Sequence, residues 1–228
     1  MKKKTPPRPR TIFTYGESIF DAKALKELIA AARPELPPAK AMTRPPTLRR
    51  ITDIQKHESR TNLVVRALRA ASVTYDVHAI ILHRDLDEIE PADCIRETSK
   101  DEEAHKLDMK AVSDSGIKVI ATSPAWEMEA WWFMWPDQVA KHRPTWEPLK
   151  DRSGKRVDRI KDAKEILTRE LRPSGKVRVP DYSETDAPYI AALIRKDGTI
   201  RKPKGVSMAF SRFLAALDEI AVSRLGTA

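Results

Sequence analysis

The chain has 228 residues, with 42 Lys and Arg against 33 Asp and Glu, a net charge of +9. That length suits one domain or one domain with an appended subdomain, and the 41% hydrophobic content is enough for a sizeable core. No apolar run approaches the roughly 20 residues of a membrane span, and a single cysteine, Cys94, excludes an internal disulfide and points to a cytoplasmic location.

The chain begins MKKKTPPRPR. Lys2, Lys3, Lys4, Arg8 and Arg10 carry five of the nine excess charges, so the remainder is only mildly basic. No hydrophobic stretch follows, as a secretory signal would require. Two readings are compatible: a disordered solubilising arm, or an arm that contacts nucleic-acid phosphates.

A first strand is predicted over residues 11–15, followed by Gly16 and an amphipathic helix over 18–32. Ile19, Ala22, Leu25, Leu28 and Ile29 form its apolar stripe. Gly16 allows a sharp turn and close approach of another group. Glu17 lies at that turn, and Ser18 or Asp21 can cap the helix. The turn lacks the G-x-x-x-x-G-K-[ST] and G-x-G-x-x-G patterns of phosphate loops. A Pro-rich loop, PELPPAKAMTRPP, covers 34–46, and a weak strand is expected near 47–52. A helix over 58–71 follows, with Leu63, Val64, Ala67 and Leu68 aligned.

The runs DVHAIILH (76–83) and IKVIAT (117–122) read as strands buried on both faces of a parallel sheet. Between them, residues 92–113 read as a charged surface helix. Further helices are expected at 126–142, 159–171, 183–195 and 206–224. RPTWEP, at 143–148, separates the α/β half from a helical half. Strands alternating with helices give the fold class: α/β, an open, mainly parallel sheet flanked by helices, with a C-terminal helical extension. Sites in such sheets gather at the carboxyl ends of the strands. These ends fall at residues 15–17, 83–87 and 123–129.

At the second of these ends, ILHRDLDEIEP places Asp85 and Asp87 two residues apart, so that in extended chain both carboxylates share a side. Either they converge on a divalent cation such as magnesium, or they form a solvated turn with Asp85 capping the next helix. His83, at the strand end, is a candidate general acid or phosphate contact. His57, His78, His105 and His142 show no partner pattern, and Cys94 reads as a plain thiol. In SPAWEMEAWWFMWPD, Met128, Trp131, Trp132 and Trp135 make a core stripe. Glu127 and Glu129 flank that stripe on opposite sides; one is a ligand or base, with Glu129 the candidate, and the other is solvated.

Candidate phosphate contacts are Arg49, Arg50, Arg60 and Arg84, together with Arg195, Lys196, Arg201, Lys202 and Lys204. The last five lie in and beside the loop RKDGTIRKPKG, either a solvated turn or a clamp on a nucleic-acid backbone beside the acidic site.

The order strand, Gly turn, helix, then strand with DLD, then strand and helix, resembles the Toprim domain of topoisomerases, bacterial primases and OLD-type nucleases. The chain is most similar to small bacterial Toprim-like proteins that accompany an ATPase and are linked to phage defence. The matching pieces are YGESIFDAKALKELI, ILHRDLD, EMEAWW, KDAKEILTREL, YSETDAPYIAALI and SMAFSRFLAAL. They span residues 11 to about 217; each is short, and their order carries the match. The resemblance implies a basic tail over 1–10, a Toprim-like core over 11–142 and a helical extension over 143–228 packed on it. It also implies a metal-dependent nuclease using Mg2+ or Mn2+, held by Asp85, Asp87 and Glu17, with Glu17, Glu129 and His83 as catalytic candidates.

One departure stands out. The family has Glu-Gly at the first turn, and this chain has Tyr15-Gly16. A phenol, with an ordinary pKa of about 10, is a poor magnesium ligand. Either Glu17 replaces the missing carboxylate, or metal is held through Asp85 and Asp87 alone, or the chain is a catalytically degenerate regulatory or adaptor subunit of an ATPase partner. A nucleotide sensor using the same acidic pocket is a further alternative.

Overall fold

The computed structural model describes residues 7–42, 53–85, 100–122, 127–173 and 179–222. Four strands, β1 (Arg10–Tyr15), β2 (Ala39–Ala41), β3 (Asp76–His83) and β4 (Val119–Thr122), form one open sheet in the order β2-β1-β3-β4. Every pairing is parallel. Parallel neighbours cannot be joined by hairpins, so helices cross between them. These are α1 (Ile19–Ala32), α2 (Asp53–Thr74) and α3 (Lys100–Ser113). Among the described residues no helix is long and apolar enough to cross a membrane.

The predicted β1, β3 and β4 are present, with β4 starting two residues late. β2 lies inside the Pro-rich loop, where no strand was expected. Its three residues, AKA, carry little strand propensity of their own; they pair with the edge of β1 through Ile12, Phe13 and Thr14. The strand expected near 47–52 lies outside the described residues. At the N-terminus, Arg10 already belongs to β1 and Arg8 donates to the Ser72 carbonyl, so the last residues of the supposed tail are part of the fold.

The strand period of two sorts side chains to opposite faces. Ile12, Ala79, Ile81 and Ile120 pack on the α1 side; Phe13, Tyr15, Ile80 and Leu82 pack with Val64, Leu68 and Val112 of α2 and α3. The α1 side is also covered by α7 (Ala187–Lys196) and α8 (Met208–Val222), which share one continuous cluster with β1 and α1.

The helix predicted over 126–142 is broken. α4 (Glu129–Trp132) and α5 (Pro136–His142) are separated by a turn at Phe133–Trp135. Pro136 at the start of α5 lacks an N–H and cannot continue the α4 ladder. The tryptophans are packing residues. Trp131 meets Phe210 edge-on at 5.0 Å and stacks on Phe213 at 6.0 Å, and Trp135 meets Phe210 edge-on at 5.0 Å. Then α6 (Ala163–Leu171) lays Ala163, Leu167 and Leu171 inward at i, i+4, i+8.

Candidate active site

At the carboxyl end of β1, Gly16 brings the chain against the first turn of α1. A Cβ on Gly16 would sit 2.7 Å from Asp21 Cβ and 3.1 Å from the Ala22 nitrogen. Only glycine permits that approach without displacing a neighbour. The turn is fixed by a capping box: Ser18 Oγ accepts from the Asp21 N–H, and Asp21 Oδ2 accepts from the Ser18 N–H at 2.7 Å. Thr14 Oγ1 ties the helix to the strand by donating to the Ala22 carbonyl at 2.6 Å. Glu17 and Asp21 are thereby presented at the end of the sheet.

Asp85 follows β3 at the same end. Its Oδ1 accepts from the Met128 N–H at 3.1 Å and lies 3.2 Å from His83 Nε2. His83 Nδ1 lies 3.9 Å from Asp21 Oδ2, and the imidazole is wholly buried. Burial opposes charging that ring, but Asp85, Asp21 and Glu17 outweigh it, and the His83 pKa is raised.

The third strand end contributes two glutamates. Glu127 precedes the first turn of α4, and its Oε2 accepts from the Lys164 N–H at the start of α6 at 2.9 Å. Glu129 opens α4; its Oε1 accepts from Tyr182 Oη at 3.3 Å, and Tyr182 Oη in turn accepts from Trp132 Nε1 at 3.0 Å. Lys164 Nζ pairs with Glu184 Oε1 at 2.7 Å.

Glu17, Ser18, Asp21, Asp85, Glu127, Glu129, Lys164 and Glu184 line one pocket of about 240 Å³. Six carboxylates there face a single lysine. Burial, then the charges of Asp85, Glu127 and Asp21, push the Glu129 carboxyl up to about 8. Burial also raises Asp85 against the pull of His83, and raises Glu127 against its hydrogen bond from Lys164.

The structure therefore gathers Glu17, Asp85 and Glu129 of the sequence candidates. Asp87, Arg49 and Arg50 lie outside the described residues. His83 is at the site but fully buried behind Asp85, so it can act only through Asp85 and cannot touch a substrate as a general acid. Asp85 reaches back to His83 and Met128 rather than standing in a solvated turn. Both Glu127 and Glu129 line the pocket, although a continuous helix would put them on opposite sides; residues 127–128 lie outside the helix, which removes that constraint. Tyr15 packs in the cluster on the α2 and α3 side, away from these acids.

None of the described basic candidates lines the pocket. Arg84 is buried. Arg195 pairs with Glu27 at 2.8 Å, and Arg201 shares Asp218 with Arg33, the C-cap of α1. Lys204 pairs with Asp137 on α5. Arg201, in the loop that follows α7, thus sits by the carboxyl end of α1 and Lys204 sits against α5, while the acids surround the amino end of α1. Fourteen helical residues separate those ends, about 21 Å at ~1.5 Å per residue. The loop does not flank the acidic pocket.

Asp21, Lys164, Tyr182 and Glu184 carried no functional signal in sequence. Asp21 reads as a capping residue, which it is, and the other three come from beyond the predicted core. Comparison with protein-family models, with curated proteins and with solved structures returns no significant match.

Proposed function

We propose that this chain is a divalent-metal-dependent phosphodiesterase of Toprim-like type that cuts nucleic acid, in the cytoplasm. The observation that supports this reading is the convergence of Glu17, Asp21, Asp85, Glu127 and Glu129 on one pocket at the carboxyl end of a parallel sheet. Carboxylates gathered on one pocket repel one another, and a cation between them relieves that repulsion. Their hard oxygen donors suit Mg2+ or Mn2+ and not a thiophilic metal. Among the described residues no three acids stand ready as a close-packed ligand cage. A pocket of about 240 Å³ leaves room for the waters that magnesium retains.

Asp85 and Glu17 would hold the metal, with Asp87 joining them on the resemblance. A bound Mg2+ or Mn2+ would polarise the scissile phosphoryl group and acidify a nearby water. Glu129, on the wall of the same pocket, would take the proton of that water once the cation has displaced its own, as the new P–O bond forms and the sugar oxygen leaves. His83 holds Asp85 from behind, and Tyr182 orients Glu129.

The test is cleavage. Wild type, Asp85→Asn, Glu17→Gln and Glu129→Gln are incubated with plasmid, single-stranded DNA and transfer RNA, in Mg2+ or Mn2+. Wild type should cut and Asp85→Asn should be at least about a hundredfold slower. Equal cleavage by wild type and Asp85→Asn removes the assignment.

A second reading follows from Tyr15, whose side chain fills the other face of the sheet where the family places a glutamate. It makes the chain a degenerate adaptor for an ATPase in phage defence. Stimulation of a co-purified ATPase that survives Asp85→Asn would favour it.

A further inference from the structure

A second groove adjoins the acidic pocket and shares Lys164 with it. It is lined by Lys164, Glu165, Thr168, Arg169 and Arg172 and encloses about 440 Å³. These residues form the outer face of α6 and its C-cap, opposite the Ala163, Leu167 and Leu171 stripe that enters the core. Three cations face one carboxylate here, the reverse of the neighbouring pocket.

We propose that this groove binds the phosphodiester backbone of the substrate strand and leads it to the acidic pocket, a proposal that rests on the nuclease reading. An acidic pocket alone repels a polyanion, so a substrate must be anchored next to it by positive charge. The α6 face supplies that charge along a line. Lys164 and Arg172 are eight residues apart, about 12 Å at ~1.5 Å per residue. That is the advance of about three to four nucleotides along a duplex axis at ~3.4 Å each.

The local contacts leave the cations exchangeable. Arg172 forks onto Asp181, Nε donating to Oδ1 at 3.3 Å and Nη2 to Oδ2 at 2.8 Å, with side chains 61% and 50% exposed. An ion pair this exposed contributes little, so its guanidinium can trade a carboxylate for a phosphate of the same fork geometry. Arg169 is exposed at the middle of the face. Lys164 stands between the two regions, its Nζ on Glu184 and its N–H on Glu127. A phosphate in the groove would sit one side chain from the acids.

The test reads binding in EDTA, apart from cleavage. A fluorescent single-stranded oligonucleotide is titrated by anisotropy with wild type, with Arg169→Gln/Arg172→Gln, and with Lys196→Gln/Lys202→Gln. The last pair removes equal charge from the loop at the far end of α1. Thermal melting confirms that each variant is folded. Arg169→Gln/Arg172→Gln should bind about tenfold or more weakly at 0.1 M salt, and its log K against log [salt] slope should be shallower by about 1.4, or ~0.7 per lost phosphate contact. Lys196→Gln/Lys202→Gln should bind like wild type. Equal losses from both pairs, an unchanged slope, or no binding by wild type at low salt overturns the groove. Binding that depends on Arg169 and Arg172, with no cleavage in Mg2+ or Mn2+, keeps the groove and removes the nuclease.

Discussion

His83 Nε2 lies 3.2 Å from Asp85 Oδ1, with the imidazole wholly inside the protein and the carboxylate on the pocket wall. The pair joins the core to the site. Asp85 keeps its position because the buried imidazole stands behind it and the Met128 N–H binds it. That gives a pH-dependent prediction. The His83 pKa is raised above its ordinary value. Its contribution is therefore complete below about 6.5 and is lost as pH rises through the raised folded value. His83→Leu removes one partner of a buried pair and should cost about 3 kcal/mol at pH 5.5. The deficit should shrink at higher pH. Urea midpoints across pH 5.5–9 measure it; a deficit that is flat across that range contradicts the charged pair.

Glu129 acts in the same direction, by holding a proton rather than a charge. Its carboxyl is pushed from 4.5 to about 8, so between those values the folded state holds a proton that the unfolded chain has released. Stability therefore falls as pH rises through that window, by up to ~1.4 kcal/mol per pH unit from this group. Glu129→Gln keeps an acceptor for Tyr182 and abolishes the titration. In EDTA at pH 8 the variant should melt above wild type and show a flatter pH profile. If the cation reading is correct, adding Mn2+ should raise the melting temperature of wild type more than that of Glu129→Gln.

Gly16→Ala forces a methyl group to within 2.7 Å of Asp21 Cβ. The capping box must shift to admit it. The expected cost is about 1–3 kcal/mol, as for overpacking a filled interior, and Glu17 and Asp21 move with the turn. Calorimetry reads the first effect and Mn2+ titration the second. A variant as stable as wild type would show that the turn has slack.

Asp158 supports a distant helix. Its Oδ1 accepts from Ser207 Oγ at 2.7 Å and its Oδ2 from the Met208 N–H at 2.6 Å, and Ser207 Oγ accepts from the Phe210 N–H at 3.0 Å. Asp158→Ala leaves a buried hydroxyl and a helix-terminal N–H without their acceptor. It should cost about 2 kcal/mol, read as a lowered guanidinium midpoint. Cleavage at a temperature where the variant stays folded should be unaffected, because Asp158 lies outside the acidic pocket.

The sheet was legible because DVHAIILH and IKVIAT are near-continuous apolar runs, as strands buried on both faces require. β2 was not, because AKA has no pattern of its own and becomes a strand only against the edge of β1. Asp85 and Glu17 were legible from their places after strands. Asp21 was hidden by its other role, since one side chain both caps α1 and faces the pocket. Glu127 was misread because a helix was drawn from residue 126, whereas α4 begins only at Glu129. The basic loop was placed beside the acids because charge pattern carries no direction. Its location depends on Arg33 and Asp218, 185 residues apart in sequence, and no local period encodes that contact.

The N–H of Lys164 on Glu127, and the hydroxyl of Tyr182 on Glu129, cross from the C-terminal half into the pocket. The acidic pocket and the folding unit are therefore the same object. A chain cut after His142 would lose one wall of the pocket and uncover Trp131 and Trp132, so the α/β half cannot be dissected away with the pocket intact. Any engineering of this protein, whether by fusion, splitting or grafting, has to carry α6 and the Tyr182 segment along with the sheet.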